Sequence, residues 1–180
     1  MSDSILILGD TGSGKTRSIR GLDPKETALI SVIGKSLPWR GGNKQYTKYN
    51  PDTKLGNLWE TRNTNSILKI FDKISTDLKL IHFKNIVIDD FQYILSFEYM
   101  ERAKEGGWDR FNDIGQSAYF LFTRAKILRD DLTVFFLAHI EEGIDAYGNT
   151  KTRIKTVGEK FCLYLSNCWN ILKLVQLQHN

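Results

Sequence analysis

The stretch Ile5-Leu-Ile-Leu8-Gly9-Asp10-Thr11-Gly12-Ser13-Gly14-Lys15-Thr16 decides how this chain is read. Four consecutive apolar residues bounded by glycine have the length and composition of a buried strand. A complete G-x-x-x-x-G-K-T follows at once, and the residues from Lys15 to Gly21 are expected to be helical. The glycines let backbone N–H groups converge on phosphate oxygens with no side chain in the way. A helix opening behind them would add its partial positive charge. In such a loop Gly9, Asp10, Thr11, Gly12, Ser13, Gly14, Lys15, Thr16 and Arg17 surround the phosphates. Lys15 reaches the β- and γ-phosphates and the Thr16 hydroxyl ligates Mg²⁺. ATP and Mg²⁺ are therefore the candidate ligands.

Outward from this loop, buried-type runs alternate with helical patterns. Ala28–Ile33, Ile86–Ile88 and Thr133–Ile140 read as further buried strands. Asn65–Leu80 carries Ile67, Leu68, Phe71, Ile74 and Leu78 at helical spacing, and helices are also expected over Phe91–Lys104 and Trp108–Asp130. Lys35–Lys54 reads as irregular, with room for a β-hairpin, and Asp145–Asn149 as a hairpin tip. Phe161–Leu177 is apolar without a clear period. Buried strands alternating with helices predict an α/β fold, a three-layer sandwich around a mainly parallel sheet. Ligands of such sheets sit beyond the carboxyl ends of the strands.

A second chemical signal closes the strand Ile86-Val-Ile-Asp89-Asp90. Two adjacent carboxylates at the end of a buried strand are costly unless cations or hydrogen bonds compensate them. Mg²⁺ held by Thr16 would compensate Asp89. Asp90 would face a water near the γ-phosphate as general base, or alternatively cap the helix opening at Phe91. His139, at the end of TVFFLAHI, would point toward the γ-phosphate if its strand lies beside the phosphate-loop strand. Lys151 and Arg153 alternate on one strand face just past the hairpin tip. They suit either a finger reaching a neighbouring subunit's nucleotide or a charged, protected sheet edge.

The chain has 180 residues and a net charge of +4, with 41% hydrophobic and 12% aromatic residues. These values describe a globular protein with a sizeable core and exclude disorder as the dominant state. No apolar run reaches membrane-spanning length and the amino terminus has no signal-peptide pattern, so a cytoplasmic protein is expected. Two cysteines, Cys162 and Cys168, give neither metal spacing nor a disulfide framework. Between Lys15 and Lys54 nine basic residues face three acidic ones, a surplus of six, which leaves −2 for the rest. Within that segment Lys35, Trp39, Arg40, Lys44 and Lys48, interleaved with Tyr46 and Tyr49, suit contact with single-stranded nucleic acid by phosphate attraction and base stacking. On this reading the lysines form a track separate from the phosphate site, and metal offsets Asp89 and Asp90.

The phosphate loop, IVIDDF, LAHIEE and a GNTKTR hairpin, in this order, resemble the small phage-encoded ATPases of the RecA-like group, over about residues 1–157. The resemblance is especially close in DDFQYILSFEYMERAKEGGWDRFNDIG. It implies a P-loop core at 1–157, ATP and Mg²⁺ binding, and oligomerisation on single-stranded DNA in phage recombination or replication. It further implies a sensor role for His139, finger roles for Lys151 and Arg153, and a replication or recombination protein as a partner. Residues 158–180 depart from the pattern, so that segment is expected to complete or flank the core. Two other classes fit the motifs: a small-molecule or nucleotide kinase, although no Arg-dense lid is evident, and a non-catalytic nucleotide switch such as a helicase loader.

Overall fold

The computed structural model describes residues 1–107, 109–144, 148, 150–155 and 173–176. Its elements run β1 (Asp3–Gly9), α1 (Lys15–Ser18), β2 (Thr27–Ser31), α2 (Gly42–Gln45), β3 (Leu58–Glu60), α3 (Thr64–Thr76), β4 (Asn85–Asp89), α4 (Gln92–Glu101), α5 (Asp109–Lys126), β5 (Thr133–Ile144), β6 (Thr150–Ile154) and β7 (Lys173–Gln176). Parallel pairings order the strands β3-β2-β4-β5-β1-β7. The outer half of β5 carries β6 as an antiparallel partner. This is an α/β fold with a parallel sheet flanked by helices, compatible with the expected three-layer sandwich. Among the described residues no helix is long and apolar enough to cross a membrane.

Alternation along the strands sends successive side chains to opposite faces. One face, with Leu6, Leu8, Ala28, Ile30, Ile86, Ile88, Val134 and Phe136, packs against apolar residues of α3, α4 and α5. The other, with Leu29, Val87 and Leu137, meets Ile19 and Tyr46 and the partly buried Leu37 and Trp39. Strand register brings the site-bearing ends together: Gly9 lies opposite His139, and Ser31 opposite Asp89.

Several boundaries differ from the sequence reading. The helix expected over 15–21 is one α turn, α1, followed by the 3₁₀ turn Ile19–Gly21. The expected α3 stops four residues early. Its start is capped by Asn63, whose side chain accepts from the Ser66 N–H, but at Asp77 the backbone turns extended and Leu78 is left 84% exposed. In place of the hairpin allowed for in Lys35–Lys54 there is a single antiparallel bridge, Asn50 to Leu55. That stretch holds α2, and Lys48 bridges in parallel to Leu58. The strand β3 lacks a long apolar run and was not foreseen. β5 and β6 pair as a hairpin's strands do, while residues 145–147 and 149 of its expected tip lie outside the described residues. Of the 158–180 segment, β7 pairs with β1 from Ile5 to Leu8; the rest, with both cysteines, lies outside the described residues.

Candidate nucleotide and metal site

β1 ends at Gly9, and the chain turns through two residues in the left-handed region, Gly12 at φ 83° and Gly14 at φ 90°. No atom lies within 4 Å of where a Cβ would stand at either position, so the loop has an open face. A side chain there would be strained by the backbone and would also project into that face. The Ser13 N–H bonds back to the Asp10 carbonyl at 3.1 Å and closes the turn. Lys15 is 5% exposed and reaches back along the loop, donating from Nζ to the Gly9 and Asp10 carbonyls, each at 2.7 Å. Because α1 is a single turn, its dipole adds little, and the electropositive character of the loop comes chiefly from Lys15 and the backbone N–H groups.

Thr16 faces the end of β4. Its hydroxyl donates to Asp89, with Oδ1 at 2.9 Å and Oδ2 at 3.1 Å. A hydroxyl and a carboxylate brought together at the glycine turn are hard oxygen donors of the kind Mg²⁺ takes, with its other positions left to further oxygen ligands such as water. The residues present therefore fit the metal. Burial, reinforced by the neighbouring charge of Asp90, pushes the Asp89 carboxyl above the usual carboxylate range; Lys35, Thr16 and Lys15 counter this only in part.

Asp90 is 1% exposed and adopts φ 61°, a left-handed conformation that Asp tolerates better than most residues. This turn at the end of β4 lets its carboxylate meet the Lys35 ammonium, Nζ at 2.5 Å, and the His139 imidazole, Nε2 at 3.2 Å. The helix-cap alternative is not what the geometry shows, since α4 has no side-chain cap bond and only the Asp90 carbonyl is used, by the Tyr93 N–H. Burial alone would raise the Asp90 carboxyl. The contacts with His139 and Lys35 outweigh it and hold the group below its ordinary value.

The strand β5 lies between β4 and β1, so His139 stands between the carboxylates and the loop. Its Nδ1 is 3.1 Å from Lys15 Nζ and 3.4 Å from Thr11 Oγ1. An ammonium can only donate, so Nδ1 is the accepting nitrogen and Nε2, 3.2 Å from Asp90 Oδ1, carries the proton. His139 thus links Lys15 to Asp90. Gln92, buried beside it, accepts from the His139 backbone N–H at 3.3 Å; no motif in the sequence marks that role. For Lys15, burial lowers the ammonium below its ordinary range, and the charge of Lys35 acts in the same direction against Asp90 and Asp89.

Around these groups lies a cleft of about 440 Å³, lined among others by Thr11, Gly14, Arg17, Lys35, Ser36 and Tyr93. Lys35 is the clearest departure from the sequence reading. The sequence pattern places it in a separate nucleic-acid track, yet it contacts Asp90 and lies 3.7 Å from Asp89 Oδ2, so a lysine as well as any metal offsets these carboxylates. Strand order explains the difference. β2 neighbours β4, so the turn after β2 overhangs the end of β4. For Lys35, burial acts to lower the ammonium but the bond to Asp90 and the charge of Asp89 prevail, and it sits above its ordinary value.

The rest of the proposed track is dispersed. Trp39 donates from its indole N–H to Gln45 at 3.0 Å and meets Tyr46 edge-on at 6.4 Å. Lys48 pairs with Glu60 at 2.9 Å. Arg40 and Lys44 are exposed and form no ion pair among the described residues. Lys151 and Arg153 lie on β6 opposite Gly143 and Glu141, and their side chains lie outside the described residues. A second groove of about 430 Å³, beside Tyr49, Trp59, Lys69 and Lys73, has no glycine turn on its lining, and its carboxylate, Glu60, is paired with Lys48. No protein-family model matches the chain, and no curated protein matches it either, so its chemistry is argued from this geometry.

Proposed function

We propose that the chain binds ATP with Mg²⁺ in this cleft and hydrolyses it, as a P-loop ATPase with a RecA-like core acting on single-stranded DNA in phage recombination or replication. One observation carries the nucleotide reading: the Thr16 hydroxyl bonds Asp89 while Lys15 and His139 meet at the mouth of the same glycine turn. Magnesium, when bound, would offset phosphate charge and polarise the terminal phosphoryl group. Gly12, Gly14 and Lys15 would hold the phosphate oxygens, and Thr16 with Asp89 would hold the metal. Asp90, whose carboxyl is held below its ordinary value beside Lys35 and His139, would accept a proton from water, with His139 Nε2 3.2 Å from its Oδ1.

The test is ATP turnover by purified protein with and without single-stranded oligonucleotide, with Lys15→Ala and metal chelation as controls. Turnover abolished by both controls is the expected result; no turnover and no nucleotide binding by the wild type would end this reading. The exposed Arg40 and Lys44 favour the DNA partner, and an oligonucleotide mobility shift at low salt checks it. Light scattering with ATP and DNA checks assembly. Phosphate transfer to a nucleotide acceptor, or tight ATP binding without turnover, would favour the kinase or the switch instead.

A further inference from the structure

We infer that Lys35 exchanges its carboxylate partners for the terminal phosphate of a bound nucleoside triphosphate, so that this side chain distinguishes triphosphate from diphosphate. The inference rests on the nucleotide reading above and adds to it a residue that reads the state of the ligand. Lys35 Nζ lies 2.5 Å from Asp90 Oδ2 and 3.7 Å from Asp89 Oδ2. A divalent cation held by Thr16 and Asp89 would face this ammonium across a single carboxylate, and like charges at such a separation repel. The metal and the present position of Lys35 therefore compete.

The cleft provides somewhere for the ammonium to go. Lys35 and Lys15 both line it, together with the open side of the glycine turn. Two cations bordering one cleft suit a ligand carrying several negative charges, and the terminal phosphate is the part that a diphosphate lacks. The side chain is attached where movement is cheap. It is 36% exposed, and it follows Gly34, whose φ of 66° gives the turn a backbone pivot. Its departure would also uncover Asp90 Oδ2, leaving that oxygen free for water, while His139 keeps hold of Oδ1.

Beyond Lys35 the movement has a route outward. Leu37 and Trp39 pack on the smaller apolar cluster, and the Leu37 N–H donates to Asn43 Oδ1 in α2 at 3.3 Å. The exposed Arg40 and Lys44 belong to this same segment. Nucleotide state is thereby linked to the presentation of those two cations.

The experiment compares the affinities of a fluorescent ATP analogue that resists hydrolysis and the matching ADP analogue, both with Mg²⁺, for wild type, Lys35→Ala, Lys35→Arg and Lys15→Ala. Loss of a charge-assisted phosphate contact should lower the triphosphate-over-diphosphate preference of Lys35→Ala about ten-fold, with ADP affinity held within about three-fold. Lys35→Arg should retain most of the preference. Acylation of wild-type lysines, read by mass spectrometry, supplies a measurement independent of any variant's folding: Lys35 should be labelled several-fold more slowly with the triphosphate analogue than with ADP. An unchanged preference in Lys35→Ala, or equal labelling in both states, overturns the inference. If the wild type binds neither nucleotide, or Lys15→Ala binds both as well as wild type does, the nucleotide reading itself falls.

Discussion

The two faces of the sheet are built from the same strands and serve different ends. On one, α3, α4 and α5 cover a continuous core in which Phe91, Phe122 and Phe136 contact one another at centroid separations of 4.7 to 5.5 Å. On the other, Leu29, Val87 and Leu137 are covered by a single turn of helix and by the segment around Leu37, Trp39 and Tyr46. Burial of apolar area supplies most of the folding free energy, so the first face carries the stability. The second needs enough cover to exclude water and no more. It is also the face whose covering segment begins at Lys35. A fold that divides its apolar material this way can shift a site-bearing segment without loosening the core.

Substitutions on the two faces should therefore separate stability from ligand chemistry. Phe122→Ala removes a fully buried ring from the large core and should cost about 3–5 kcal/mol, read from denaturant midpoints. A cost under about 1 kcal/mol would mean that this face is not the stabilising one. Lys15→Ala should reverse the pattern: about a hundred-fold weaker nucleotide binding, equivalent to about 2.7 kcal/mol, with a smaller change in unfolding free energy. If stability falls as far as affinity, the division between core and site fails. Leu37→Ala, on the thin face, should cost only about 1 kcal/mol because the side chain is partly exposed, and a loss equal to that of Phe122→Ala would erase the contrast.

The smallest effect is expected at Glu98, on α4, which accepts from the Thr64 hydroxyl at 2.5 Å. Burial raises its carboxyl above the ordinary value, more than Thr64, Ser117 and Arg102 lower it. A raised folded-state value means stability that is complete below the unfolded value and is lost as pH rises through the folded one. Glu98→Gln escapes that loss, because its amide still accepts from Thr64 and never ionises. The variant should match wild type near pH 4 and gain a few tenths of a kcal/mol on it by pH 7. Thermal melts across that range check the sign.

Much of the large face was legible in advance, because its information is periodic. Ile67, Phe71 and Ile74 repeat at helical spacing, and IVID and TVFFLA are short, β-branched-rich apolar runs of strand length. The glycine turn and Asp89 were legible for another reason, as chemistry tied to fixed spacing. Lys35 was not. It sits in an irregular stretch among other cations, and what brings it to Asp90 is the adjacency of β2 and β4, a long-range pairing that leaves no local mark. β3 and α2 were missed because three or four residues are too few to establish a period. Leu78 shows the opposite error, an apolar residue that fits the helical repeat after the helix has ended.

The position of β1 has a consequence for how the molecule is made. Its neighbours are β5, more than a hundred residues downstream, and β7, farther still. During synthesis β1 is made well before either of its neighbours and stays unpaired until they follow. Such distant pairings close slowly, since a long loop of chain must be ordered before any contact forms. The glycine turn that follows β1 therefore leaves the ribosome before the strands that flank β1 and takes its shape only after them. A nascent chain arrested before Thr133 should show no nucleotide-dependent protection from protease, whatever part of β2, β4 and α3 has already come together.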